Sequence, residues 1–470
     1  MDDDLTDLDK AGLLAASSQA VRARRLAEVR DLKVLLEWAR AHSGEPDNPR
    51  DRLMELAGEG APPVQELCLG EIAISRGTGV TATLNALVDT LNLVYRMPET
   101  WQVLQTGEAE VHIARRVAKI SSHLPLVVMP VVDRAIARMI AHEAGGRVLE
   151  VAEAKIIEAD PALHEARAEA ERRRRYVSSS RTDEYGLRTV IARCEAGDVV
   201  WVEATLARVA EIIAPRHPEA TADELRSVAF GWLARPAELL TLLLDNREEQ
   251  DSFDLDLGVV AAPEQNRATA MPADVLDALR NLDLSPLAPT AVLYVHLHEA
   301  ALRGAGGVAR VEGLGPRGTA SLAELLARTD LVVKPVIDLN DRVRTTAYEH
   351  PESLKERVHL STGGDYWPWA TSTSRRVDYD HPTPYDHDHD VRDGPPGQTG
   401  THNSGPLGRR HHRFKTHGRY RVRQAGVGRY VMLTPHGLGV LVDHRGTRRI
   451  SARKARLIID APPGVDLYPV

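Results

Sequence analysis

Apolar positions recur every three to four residues from about residue 21. Leu32, Leu35, Leu36 and Trp38 show the spacing in its plainest form, and Ala, Leu, Arg and Glu fill the stretch to about residue 160. A period near 3.6 in good helix formers predicts one helix after another. Ahead of it, residues 1–20 open on MDDDLTDLDK and read as a loose acidic tail. Between residues 70 and 120 the pattern breaks at Gly77 to Gly79 and again at Pro98, which predicts three short helices capped by Thr or Ser. Such helices around a glycine turn fit a DNA-reading helix-turn-helix, but they are common in any all-α bundle. The run ALHEARAEAERRRRYV at 162–177 reads as a charged helix. Its arginines at 172–175 could reach phosphate, although a solvated face partly paired with Glu169 and Glu171 is the commoner use.

After Ser178 the period changes. YGLRTVIARC and DVVWVEATL alternate as strands do, around a turn at 195–198, and helices resume near residue 204 and over 222–244. Residues 246–271 are rich in Asp, Glu and Asn and read as a loop. APTAVLYVHLHEAAL at 288–302 alternates again, placing His296 and His298 on one face of a strand. That pair lacks further ligands, so a structural or solvated role suits it better than metal binding. Residues 309–340 read as a Gly/Pro turn, a helix capped near Ser321 and a short strand. Their Gly-Leu-Gly-Pro departs from the G-x-G-x-x-G fingerprint, so no nucleotide cofactor is expected. A boundary near residue 345 completes a division into the tail at 1–20, a mainly α domain with a small α+β part at 21–345, and a C-terminal domain at 346–470.

Composition changes this picture in two places. With 470 residues, 43% of them hydrophobic, the chain can bury the cores of two or three domains. No stretch approaches the roughly 20 apolar residues of a membrane span, and the acidic N-terminus is unlike a signal peptide. A cytoplasmic protein with no membrane partner is expected. Cys68 and Cys194 belong to no C-x-x-C pair and read as buried bystander thiols. The net charge of −8 is unevenly spread: residues 403–456 carry fourteen Lys or Arg against a single acid, Asp443. A polyanion would meet the molecule there. Nothing in the pattern speaks to oligomeric state.

The candidate chemistry lies in residues 377–418, VDYDHPTPYDHDHDVRDGPPGQTGTHNSGPLGRRHHRFKTHG. Asp380 and His381 end a run suited to a strand, an isolated Asn403 follows, and a basic segment then carries His411, His412 and Lys415. Hydrolysis of a phosphodiester at neutral pH needs a base for water, a cation for the developing charge and a fixed geometry between them. Neighbours on an extended strand point to opposite sides, so Asp380 and His381 cannot both face one metal but can divide the labour. Histidine suits the base because its ordinary pKa, about 6.5, lies near neutrality.

VDYDHPTPY, GPPGQTGTHNSGPLGRRHHRFKTHGRY and TPHGLGVLVDHRGT closely resemble the C-terminal HNH endonuclease signature of a large actinobacterial protein family. The N-terminal part of that family is the helical domain of unknown function 222. RVHLSTGGDYWPWATSTSR, VEGLGPRGTASLAELLARTDLVVKPVIDL and LNLVYRMPETWQVLQTGEAEVHIARRVAKI are also similar to it, so the resemblance covers most of the chain after about residue 25. It implies a ββα-metal fold, two strands and a helix holding one divalent cation, Mg²⁺ or Mn²⁺ in the first place with Zn²⁺ or Ni²⁺ as alternatives, and DNA as the partner. Matched residue by residue, His381 takes the place of the general base and Asn403 that of the central Asn, which orients the base and its loop. Asp380 and His412 take the places of metal ligands, with His411 competing for the second. Arg409, Arg410, Arg413 and Lys415 would clamp phosphates. Many members carry cysteines before the first His and just before the His-His pair. Here Gly408 stands at the later position, and Trp367 and Trp369 precede Asp378, so no structural zinc and an aromatic core are expected. The run DHDHD at 386–390 offers further acids and imidazoles, either for the ion or as a solvated variable loop. The resemblance implies a metal-dependent endonuclease; the alternative is a non-catalytic nucleic-acid-binding or interaction protein with a degenerate HNH fold.

Overall fold

The computed structural model describes residues 5–180, 183, 187–246, 295–296, 307–311, 315–318, 339, 342–387 and 398–462. The chain falls into two compact units, Met1–Glu169 with Val332–Val470, and Ala170–Leu331. These units cut across the expected boundary near residue 345, because the N-terminal helices and the C-terminal segment belong to one unit.

In the first unit, α1 (Lys10–Ala41) starts directly after Asp9, whose side chain accepts a hydrogen bond from the Gly12 N–H at 2.7 Å. The loose acidic tail therefore ends at Asp9 rather than near residue 20: an N-cap followed by Lys, Ala and Leu outweighs the acidic start. The inward stripe of α1 is Val29, Leu32, Leu35, Leu36 and Ala39. A short antiparallel pair, β1 (Leu53–Met54) and β2 (Val64–Gln65), leads to α2 (Cys68–Arg76). Then follow α3 (Val80–Arg96), α4 (Pro98–Leu104), α5 (Val111–Ser121), α6 (Met129–Ala137), α7 (Gly145–Ala159) and α8 (Pro161–Arg172). Gly77 ends α2 with a left-handed φ of 67°, and Pro98 opens α4 where no N–H is missed. The breaks lie where the sequence puts them, but 70–120 holds four helices, since 98–104 and 111–121 are separate.

The second unit holds the antiparallel hairpin β3 (Tyr176–Ser179) and β4 (Val190–Arg193), then α9 (Ala196–Ile213), α10 (Ala222–Trp232) and α11 (Pro236–Asp245). DVVWVEATL is thus helical, not a strand. Its β-branched start suggests alternation, but Leu206, Val209, Ala210 and Ile213 carry the helical period, and that is the face buried. A capping box between Thr221 and Glu224 starts α10. A small antiparallel sheet follows, β5 (Val295–His296), β6 (Val308–Val311) and β7 (Gly315–Gly318). His298, the helix expected near Ser321 and most of 246–271 lie outside the described residues. Among the described residues no single helix is long and apolar enough to cross a membrane. The pair α10 and α11 passes only together and is bent by 120°.

Back in the first unit come β8 (Arg344–Thr345), α12 (Glu352–Thr362), β9 (Asp378–Asp380), β10 (Thr399–Gly400), β11 (Gly405–Leu407) and α13 (Arg409–His417). A meander, β12 (Arg421–Gly426), β13 (Arg429–Leu433), β14 (Gly439–Asp443) and β15 (Gly446–Ile450), is closed by α14 (Ala452–Ile459). The chain is mainly helical with small antiparallel sheets. One continuous apolar core joins Leu35, Leu69, Leu87 and Leu91 of the helices to Trp367, Phe414, Tyr420 and Tyr430. The approach is closest at Gly70, where a Cβ would lie 2.7 Å from Tyr420 Oη and 2.9 Å from the Phe414 ring. Only glycine lets α2 lie this near α13.

Candidate functional site

β9 and β11 pair antiparallel with Asp380 opposite Gly405 and Asp378 opposite Leu407, and α13 follows immediately. The two-residue period of a strand puts Asp378 and Asp380 on one face. α13 lies against that face and sets His412 between them: its Nδ1 is 2.8 Å from Asp378 Oδ2 and its Nε2 is 3.4 Å from Asp380 Oδ1. Lys415, one helical turn on, places Nζ 2.9 and 2.8 Å from the two oxygens of Asp380 and also donates to the His381 carbonyl. The Tyr366 hydroxyl donates to Asp380 Oδ2 at 2.7 Å. Burial alone would raise the Asp380 carboxyl, but His412, the Lys415 ammonium and Tyr366 together hold it at about 2. Asp380 first, and then Asp378, raise His412 above its ordinary value against the effect of burial.

His381 turns the other way, as the strand geometry requires. Its Nε2 is 2.8 Å from Thr399 Oγ1 on β10, and its ring lies among those of His350, Tyr348 and Tyr385. Burial pushes it down to about 4, so it is neutral at pH 7. Asn403 fastens the loop that follows: Oδ1 accepts from the Thr383 N–H at 2.8 Å, and Nδ2 donates to the carbonyls of Thr383 and Gln398 at 3.0 and 3.1 Å. The peptide after His381 is thereby tied to the strand that holds its imidazole.

The choice between the adjacent histidines is decided by direction. His411 points away from Asp380, with Nδ1 2.6 Å from Asp365 Oδ2 and its ring stacked on Trp367 at 5.2 Å. The Asp365 carboxylate also accepts from the Gly408 and Trp367 N–H groups, both at 2.9 Å. It braces the first turn of α13, and a Cβ at Gly408 would meet it at 2.8 Å.

The basic residues separate as well. Arg409 is exposed and pairs with Asp378, and Arg410 is exposed. Arg413 pairs with Glu66 at 3.1 Å. Lys415 is a correction to the expected phosphate clamp: its side chain is 7% exposed and committed to Asp380, because its spacing from His412 turns it toward β9. The cysteines also differ from expectation in part. Cys68 is buried and its thiol pushed up to about 12 by burial, whereas Cys194 is exposed.

Asp380 and His412 are the pair able to share a cation, and Asp378 on the other ring nitrogen would fix the tautomer that aims Nε2 at it. A separation of 3.4 Å suits two ligands of one hard ion that keeps several waters. Among the described residues no group of three or more His, Cys, Asp or Glu could hold a metal. Residues 388–390 of the DHDHD run lie outside the described residues. Asp378 was legible in the sequence as the i−2 neighbour of Asp380. Thr399, Asp365, Tyr366 and His350 carried no such signal, since only the fold brings them in. Compared with protein-family models, with curated proteins and with solved structures, the chain gives no match.

Proposed function

We propose that this hairpin and helix form the centre of a metal-dependent endonuclease of the HNH type, acting on DNA in the cytoplasm. One observation carries the reading: the His381 ring is held by Thr399 and the loop after it by Asn403, while Asp380 and His412 meet 3.4 Å apart at the same strand end. His381 would serve as the base and Asp380 with His412 as the cation-binding pair, all at the end of one strand.

A divalent cation on Asp380 and His412, Mg²⁺ or Mn²⁺ by preference, would supply charge to the phosphoryl oxygens and leaving group. His381 is neutral at pH 7, and with Nε2–H donating to Thr399 its Nδ1 keeps a free lone pair to take a proton from water. Asn403 does no proton chemistry; it keeps the Thr383 loop from drifting and so keeps His381 aimed. Arg409 and Arg410 at the exposed start of α13 are the cations available to the phosphate backbone.

The alternative, a non-catalytic nucleic-acid-binding module, is favoured by one specific observation: the Lys415 ammonium already neutralises both oxygens of Asp380. Plasmid nicking separates the two. Wild-type protein with Mg²⁺ or Mn²⁺ should nick supercoiled DNA, EDTA should stop it, and His381→Ala should lose about 10²-fold or more. Wild-type and His381→Ala protein leaving the plasmid equally intact across metals would sink catalysis on this substrate.

A further inference from the structure

The face of His381 away from β9 carries a group of rings that the proposed hydrolysis does not use. Tyr348 lies parallel to the His381 ring, with centroids 5.4 Å apart and planes 25° apart. Tyr385 meets Tyr348 edge-on at 5.2 Å, and His387 lies 5.0 Å from each of them. Tyr348 is 54% exposed even with one ring face toward His381, its flank against Tyr385 and His387 tilted beside it, so part of the ring stays in solvent. A half-wet aromatic ring beside a candidate base offers flat apolar surface on which a planar group can stack.

The turn that presents this ring is built, not loose. β8 pairs with β10 so that Thr345 lies opposite Thr399, the residue that holds His381. Thr345 Oγ1 accepts from the Ala347 N–H at 3.2 Å, and the Tyr385 hydroxyl donates to the Thr346 carbonyl at 3.2 Å. Both ends of the turn are therefore fixed before Tyr348 is reached. On the same stretch Arg342 and Arg344 are exposed, two residues apart, and neither side chain has a hydrogen bond or ion pair among the described residues. In extended chain that spacing directs both to one side.

We infer that Tyr348 is a stacking platform for an unpaired base, with Arg342 and Arg344 along the backbone of the same strand. The preferred ligand is then single-stranded nucleic acid, or a duplex locally opened beside the cut. A base inside intact B-form DNA has both faces covered by its neighbours and cannot reach an open tyrosine ring, whereas an unpaired base can, whatever its identity. The inference rests on the proposed nuclease reading for the meaning of the site, but it is tested through binding alone.

The experiment uses the full chain in EDTA, so that cleavage plays no part. A fluorescein-labelled 20-nucleotide oligodeoxynucleotide is titrated by anisotropy as a single strand and as its blunt duplex at one fixed salt concentration. Binding to the single strand should be about tenfold tighter than to the duplex. Tyr348→Ala should weaken single-strand binding by roughly 5- to 100-fold, the range stacking of one base supports, and leave duplex binding unchanged. Tyr348→Phe should bind as wild type, since stacking needs the ring and not the hydroxyl. Equal affinity for the two forms, unaltered single-strand binding in Tyr348→Ala, or an equal loss in Tyr348→Phe would each overturn the inference. Tyr348-dependent binding without nicking by wild type would uphold the platform and reject the nuclease. Nicking that needs His381, with binding indifferent to Tyr348, would do the reverse.

Discussion

His350 shows how a buried side chain contributes to the acid limit of this fold. It is 6% exposed, its ring centroid lies 4.5 Å from that of His381, and its Nε2 has no hydrogen-bond partner among the described residues. Burial pushes it down to about 4 from the ordinary 6.5. A histidine depressed on folding stabilises the fold above its unfolded pKa, and that stability is lost as pH falls through the folded value. The window is therefore between about pH 6.5 and pH 4. Since a tenfold change in a proton-binding constant is worth about 1.4 kcal/mol, protonating His350 is expected to cost on the order of 3 kcal/mol by pH 4. His350→Leu should make this limb shallower while the part due to His381, likewise held down to about 4 by burial, remains, read by urea denaturation at pH 7, 5.5 and 4, and removing an unpartnered nitrogen should cost little at pH 7. An unchanged acid limb in His350→Leu would show that another group sets it. Asn403 works through three hydrogen bonds to backbone instead. Asn403→Ala is expected to lose about 1–3 kcal/mol by urea denaturation. Asn403→Asp should do no better, because it keeps the acceptor for Thr383 N–H but sets a carboxylate against the carbonyls of Thr383 and Gln398. Recovery of wild-type stability in Asn403→Asp would refute the donor half of this account.

At the scale of elements, the hairpin and α13 were the legible part. Asp380 and His381 at a strand end, Asn403 in a loop and His412 on a helix can be read from type and order, because each sits within one local element. The brace beneath them could not be read. Asp365 lies forty-six residues before His411, and nothing local marks it as the carboxylate that holds the start of α13. Lys415 misled for a related reason: a basic residue in a basic helix looks solvent-facing until the partner strand supplies an acid. DVVWVEATL misled because four β-branched residues in a short window hid a longer helical period. The Asp365 brace gives a test of its own. Asp365→Ala strands the Gly408 N–H and the His411 imidazole and should cost about 3 kcal/mol. Gly408→Ala should cost about 1–3 kcal/mol, since its Cβ would stand 2.8 Å from the Asp365 carboxylate. Residues in contact are not additive, so in the Asp365→Ala background the Gly408→Ala penalty should shrink. A thermodynamic cycle by urea denaturation measures it, and full additivity would mean that the two do not share a site.

At the scale of the whole molecule, the N-terminal helices form part of the foundation of the candidate site. Glu71 on α2, itself buried, accepts from the Thr434 hydroxyl at 2.5 Å, from the His436 N–H at 3.0 Å and from the His436 ring. Asn48 donates to the carbonyl of His417 at 2.7 Å, at the C-terminal end of α13. Trp367, Phe414 and Tyr420 all pack against the backbone of Gly70. Uncovering three such rings would forfeit roughly 5–9 kcal/mol at about 1.5–3 kcal/mol for each large apolar side chain. That is comparable to the entire stability of an ordinary domain, about 5–15 kcal/mol. A fragment of residues 346–470 should therefore lack a cooperative thermal transition and bind a dye for exposed apolar surface. Co-expression with residues 1–169 should restore a folded complex that co-elutes on size exclusion. Gly70→Ala in the full chain is the milder form of the same test, expected to lower the melting temperature because its Cβ must displace Tyr420 and Phe414. Were 346–470 to melt cooperatively near the temperature of the full chain, the helices would be a separate domain and the boundary near residue 345 would be restored. The expected failure of the fragment would instead explain how the hairpin keeps His412 opposite Asp380: α2 packs closely against α13 at Gly70, and the rigidity of the hairpin comes from that packing.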